Sequence, residues 1–124
     1  FYGTQSAALY KGIEAAIAFQ HLMGTANIEN RVKQLSGYLQ EKLLGLGDGI
    51  RMLTPVEARS RGGQVAFAFN QKATDKFQEF LLPRKIVVRY VPENNINCIR
   101  VSTHVYNSHA DIDALMDAVK EYLV

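Results

Sequence analysis

Apolar side chains recur every three or four positions through the first third of the chain and every second position through much of the remainder, which predicts two long helices ahead of a small sheet. Leu9, Ile13, Ala16 and Ile17 fall on one face of an alanine-rich helix that Ser6 opens as N-cap and that runs to Met23, where Gly24 stops it. That stripe predicts a buried helix. Asn27 is the expected cap of a second helix, in which Ile28, Val32, Leu35, Leu39 and Leu43 repeat until Gly45 and Gly47 end it. The period then shortens. Residues 50–53 read as a short strand, 54–63 as a loop, and 64–70 as a strand with Val65, Phe67 and Phe69 on one face. Phe77, Phe80 and Leu81 share the face of a helix over 74–82 that Pro83 terminates. Residues 86–91 and 98–103 are β-rich runs joined by a turn at Pro92-Glu93-Asn94-Asn95. Ser108, with Asp111 three residues on, caps a last helix with Ile112, Leu115, Met116, Val119 and Leu123 as its stripe.

The resulting order, ααββαββα, predicts an α+β fold: a small sheet of about four strands covered by helices mainly on one face. A chain of 124 residues with 48% hydrophobic side chains suits a single domain, residues 1–124, with a core of its own. Fourteen basic against twelve acidic side chains leave a net charge of +2, too small and too scattered for a nucleic-acid or membrane footprint. Cys98, the single cysteine, can form no internal disulfide and is expected to be a buried, reduced thiol. No apolar run spans a bilayer and no signal-peptide pattern is present, so the expected location is the cytoplasm. The chain opens at Phe1-Tyr2-Gly3-Thr4-Gln5 with neither an initiator methionine nor a polar leader, as a piece of a longer protein would.

Candidate chemistry is sparse. His21, His104 and His109 do not pair at the spacing that puts two imidazoles on one metal, and one cysteine supplies no thiolate set, so no metal site is expected. Asp111, Asp113 and Asp117 lie in the first half of a helix, where carboxylates serve the helix dipole. Arg59-Ser60-Arg61-Gly62-Gly63 occurs once and is explained by a glycine turn before a strand. Arg100 stands out, because Ile99 and Val101 packed inward aim it, with Ser102, out of the other face of the sheet. Two readings stand: Arg100 solvates an exposed face, or its planar fork grips a carboxylate or phosphate through paired hydrogen bonds. Gly3-Thr4-Gln5-Ser6, a glycine and hydroxyls at a helix start, is either a plain cap or an anion cradle.

Tyr2-Gly3-Thr4-Gln5, the alanine-rich helix, Leu53-Thr54-Pro55, Gly63-Gln64-Val65-Ala66-Phe67, Ile86-Val87-Val88-Arg89 and the run from Ile99 through Arg100, Val101, Ser102, Thr103, His104, Val105 and Tyr106 to Asn107 together resemble one known arrangement. It is that of the carboxy-terminal small domain of class V aminotransferases, the fold-type I pyridoxal-phosphate family that includes cysteine desulfurases and isopenicillin N epimerase-like enzymes.

The resemblance implies pyridoxal 5'-phosphate as cofactor, an amino acid as substrate and a homodimer in the full-length enzyme, with no nucleic acid and no membrane as partner. It gives Thr4, after Gly3, contact with the cofactor phosphate, and Arg100 the substrate carboxylate. The Schiff-base lysine of the family precedes the Gly-Thr element, so no catalytic residue is expected in this chain, the large cofactor-binding domain is missing from it, and the fragment alone is expected to be inactive. The histidine pair and reactive cysteine of cysteine desulfurases have no counterpart in Tyr90-Val91-Pro92-Glu93-Asn94, which favours transamination or epimerisation. The alternative is a stand-alone α+β binding or dimerisation module without catalysis.

Overall fold

The computed structural model of the chain describes Gly3 and residues 6–124. Two compact units divide it, residues 1–30 and residues 31–124. In the first, helix α1 (Ala7–Met23) ends at Gly24, whose φ of +81° suits glycine and whose N–H returns to the Gln20 and His21 carbonyls. Ser6 precedes the helix in extended conformation without a side-chain capping bond. The expected burial of α1 is not found. None of its residues is buried, and Leu9 and Leu22 are 72% and 86% exposed. Alanine-rich sequence suffices to form the helix, but covering its stripe takes a second apolar surface. Helix α2 (Thr25–Leu44) begins before Asn27, which therefore is not its cap. The Asn27 Nδ2 instead donates to the Met23 carbonyl at 2.9 Å, satisfying the end of α1 rather than the start of α2.

The second unit holds most of α2, strands β1 (Ile50–Met52) and β2 (Gln64–Phe69), helix α3 (Thr74–Leu81), strands β3 (Arg89–Val91) and β4 (Cys98–Ser102), and helix α4 (His109–Leu123). The sheet is antiparallel throughout, in the order β1-β2-β4-β3. This is the α+β architecture expected from the sequence, element for element. Alternation along the strands sends Val65, Phe67, Phe69, Ile99 and Val101 inward, where they join Leu35, Leu39 and Leu43 of α2, Phe77 and Leu81 of α3, and Ile112, Leu115 and Val119 of α4. Phe69, Phe77 and Tyr122 meet edge to face or tilted, with ring centroids about 5 Å apart.

Two polar devices seat the ends of this core. Ser108 accepts from the Asp111 N–H while the Asp111 carboxylate accepts from the Ser108 N–H, the reciprocal capping box expected for α4. Thr103 donates its N–H to the Gly63 carbonyl at 2.8 Å and its hydroxyl to the same oxygen at 3.0 Å, binding the end of β4 to the entry of β2. Gly63 is required there because a Cβ would overlap the Cγ1 of Val32 on α2.

The expected strand over 86–91 pairs only over its last three residues. After the single 3₁₀ turn Leu82–Arg84, Lys85 takes a left-handed conformation with φ of +56°, and the chain reaches the flank of β4 only at Arg89. A cavity of about 450 Å³, lined by Val87, Ser102, Asn107 and Leu115, opens where the earlier residues would have paired. The β3–β4 connection is a 3₁₀ turn, Glu93–Asn95, with positive φ at Asn94, Asn95 and Asn97, which asparagine tolerates better than most residues.

Candidate functional site

Directly opposed residues of an antiparallel pair share a face, so the register fixes what lies on the side of the sheet away from the core. Arg100 is opposite Ala66 on one flank and Arg89 on the other, and Arg51 is opposite Ala68, two residues along β2 from Ala66. Arg51, Arg89, Arg100 and Ser102 are all exposed and all on this open face. Arg100 leaves the sheet in the direction the Ile99-Arg100-Val101 alternation predicts, between buried neighbours that hold its backbone. Among the described residues it makes neither a hydrogen bond nor an ion pair.

Arg89 differs. Like charges directly opposite each other destabilise a strand pair, and Glu93 relieves this one by accepting from the Arg89 Nη2 at 2.7 Å. The Glu93 carboxyl is held below the usual carboxylate range, first by its own backbone N–H and then by the Arg89 guanidinium. Arg89 is thus paired inside the chain, whereas Arg100, which pulls only weakly on the same carboxylate, has no hydrogen bond or ion pair among the described residues.

Small side chains sit between the arginines. Ala68 and Cys98 are 2% and 3% exposed, sunk among longer neighbours. Burial pushes the Cys98 thiol up, against a smaller downward pull from Arg100 and Arg51. A buried thiol with a raised pKa is a poor nucleophile, in line with its expected inert role.

Of the other sequence-predicted site residues, Gly3 is exposed and Thr4 lies outside the described residues. Asp111 caps α4, and Asp113 accepts from the Tyr38 hydroxyl at 2.8 Å and pairs with Lys42 at 3.1 Å, so both carboxylates have structural partners. Phe67 and Phe69 are core residues, which leaves the open face without strand aromatics for stacking bases. Arg51 is the open-face residue that sequence reasoning missed, although its setting between Ile50 and Met52 repeats the alternation that marks Arg100. Among the described residues no helix is long and apolar enough to cross a membrane.

Open-face guanidinium groups on a helix-backed antiparallel sheet define a small α+β domain with one apolar and one cationic face. The family model described as Aminotransferase class-V matches residues 1–115. The chain belongs to the class V aminotransferase family. It is 28% identical over 121 residues to the isopenicillin N epimerase of Amycolatopsis lactamdurans, covering 96% of this chain and 30% of that protein. A probable cysteine desulfurase of Ureaplasma parvum is 27% identical over 129 residues, covering 97% of this chain and 31% of that protein. The chain therefore spans about a third of the length of these relatives. The apo cysteine desulfurase of Thermococcus onnurineus NA1 shares the fold, with a TM-score of 0.79 and 23% identity over 90% of this chain and 30% of that one.

Proposed function

We propose that this chain is the carboxy-terminal domain of a cytoplasmic, pyridoxal-phosphate-dependent enzyme that transaminates or epimerises an amino acid, with Arg100 gripping the substrate carboxylate. The observation that carries the reading is an exposed guanidinium with no partner among the described residues, on the face of the sheet away from the core, in a chain of the class V aminotransferase family. An arginine so held offers two parallel N–H donors to a carboxylate, a geometry lysine cannot match. Pairing with Ala66 and Arg89 on either side fixes its backbone, so anion binding has to order only the side chain.

The described residues fit the substrate end of such a site and not the cofactor ring. All seven lysines lie in helices or loops, so none stands on the strands of the open face. The cofactor, when bound, would supply an electron sink. Gly3 and Thr4 are proposed to meet its phosphate in a homodimer of the full-length protein, and the Schiff-base lysine to come from protein outside this chain. Nucleic acid and membrane have no part in this reading.

The test is to fix the cofactor covalently in the full-length protein by borohydride reduction and to locate it by mass spectrometry. The expected attachment is a lysine outside residues 1–124, with no turnover of amino acids by residues 1–124 alone. Attachment to one of the seven lysines of this chain, or turnover by the chain alone, would contradict the reading.

A further inference from the structure

Arg51 shares the open face with Arg100 but is separated from it by the whole width of β2, from which Ala66 and Ala68 project between them. Two strand spacings and a two-residue offset put the two arginine Cα atoms about 12 Å apart. Small side chains lie in between, with Ala68 and Cys98 covered by longer neighbours, and both guanidinium groups lie close enough to the Cys98 thiol to pull on it. Arg51, like Arg100, has no hydrogen bond or ion pair among the described residues, whereas Arg89 is engaged by Glu93. The face therefore presents two well-separated cations that have neither a hydrogen bond nor an ion pair among the described residues.

One carboxylate uses one guanidinium. We propose that Arg51 is a second anion subsite, and that the substrate is an amino acid carrying a second carboxylate on its side chain. This rests on the reading that Arg100 takes the first carboxylate. The length of an arginine side chain lets the two forks converge on carboxylates separated by several bonds, as in aspartate, glutamate or 2-aminoadipate. Glu93 contributes by neutralising Arg89 and by repelling a second carboxylate from that side of Arg100, which leaves the Arg51 side as the favourable direction.

Spectral titration of the full-length holoenzyme with aspartate, glutamate and 2-aminoadipate, against asparagine, glutamine and norleucine, tests this. At least one dicarboxylic amino acid should bind tenfold or more tightly than its neutral counterpart. Arg51→Ala should erase that preference while changing neutral amino-acid affinity less than twofold, and Arg51→Lys should restore part of it. Arg51 is exposed, and unchanged thermal melting separates a binding effect from unfolding. No preference in the natural protein, or a preference that survives Arg51→Ala, overturns the inference. Arg100→Ala distinguishes the two levels: if it leaves neutral amino-acid binding unchanged, the underlying carboxylate assignment has failed, and if it weakens that binding while Arg51→Ala has no effect, only the second subsite has.

Discussion

Val65, Phe67 and Phe69 on one side of β2 are packed away from water, whereas Ala66 and Ala68 on its other side lie among Arg51, Arg89 and Arg100. The same six residues thus serve two surfaces, one apolar and closed by α2, α3 and α4, the other cationic and open. On the proposed function, stability belongs to one face of the sheet and recognition to the other. A substitution on the first should be felt in folding, and one on the second in ligand binding.

Phe67→Ala should cause the largest loss of stability. Phe67 is fully buried against Phe69 and Phe77, and truncation of such a side chain costs about 3–5 kcal/mol, read as a shift of the urea midpoint at constant slope. Gly63→Ala comes next, at about 1–3 kcal/mol, because the new methyl must displace Val32 at the seam of β2 and α2. Ser108→Ala should cost about 1 kcal/mol by removing half of the capping box.

The same box carries a pH dependence. The Asp111 carboxyl is held below its ordinary 3.8, first by the Ser108 backbone N–H and then by the Ser108 hydroxyl. A depressed carboxyl favours the folded state wherever it is ionised. Its contribution is complete above the unfolded pKa and disappears as the pH falls through the lower folded value. Denaturation midpoints compared at neutral pH and well below 3.8 should converge for Asp111→Asn and the natural chain as the medium acidifies. A difference that persists undiminished in acid would place the effect elsewhere than in the charge.

The smallest expected effects on stability belong to the open face. Arg51→Ala and Arg100→Ala should stay within about 0.5 kcal/mol of the natural chain, since neither makes a partnered contact and both are exposed. A loss as large as that of Phe67→Ala would dissolve the division between the faces.

The element order is legible because the apolar period switches cleanly from three or four to two, and because Ser108, Gly24 and Pro83 act as local stops and starts. The exposure of α1 is not. A stripe such as Leu9, Ile13 and Ile17 says which side of a helix can be covered, and whether a covering surface exists is a tertiary matter. The shortened β3 is also out of reach, since Val87 and Val88 have strand-forming side chains, yet they follow a left-handed turn at Lys85 and Val88 is buried in the core without pairing to β4. Asn27 resembles a cap because asparagine serves either end of a helix, and its choice of the Met23 carbonyl depends on how closely α2 follows α1 in the chain. Alternation alone suffices to find Arg100. Arg51 carries the same signal in a three-residue strand, where so short a run gives the period little weight.

The central claim is that the open face holds a substrate carboxylate through Arg100, and the direct measurement is the steady-state kinetics of Arg100→Ala in the full-length holoenzyme beside its cofactor absorbance. Loss of a charge-assisted pair of hydrogen bonds is expected to raise the apparent substrate constant by roughly tenfold to a hundredfold. Cofactor absorbance should be nearly unchanged, and Arg100→Lys should recover only part of the loss. An unchanged substrate constant, or equal loss of cofactor and substrate binding, would contradict the account.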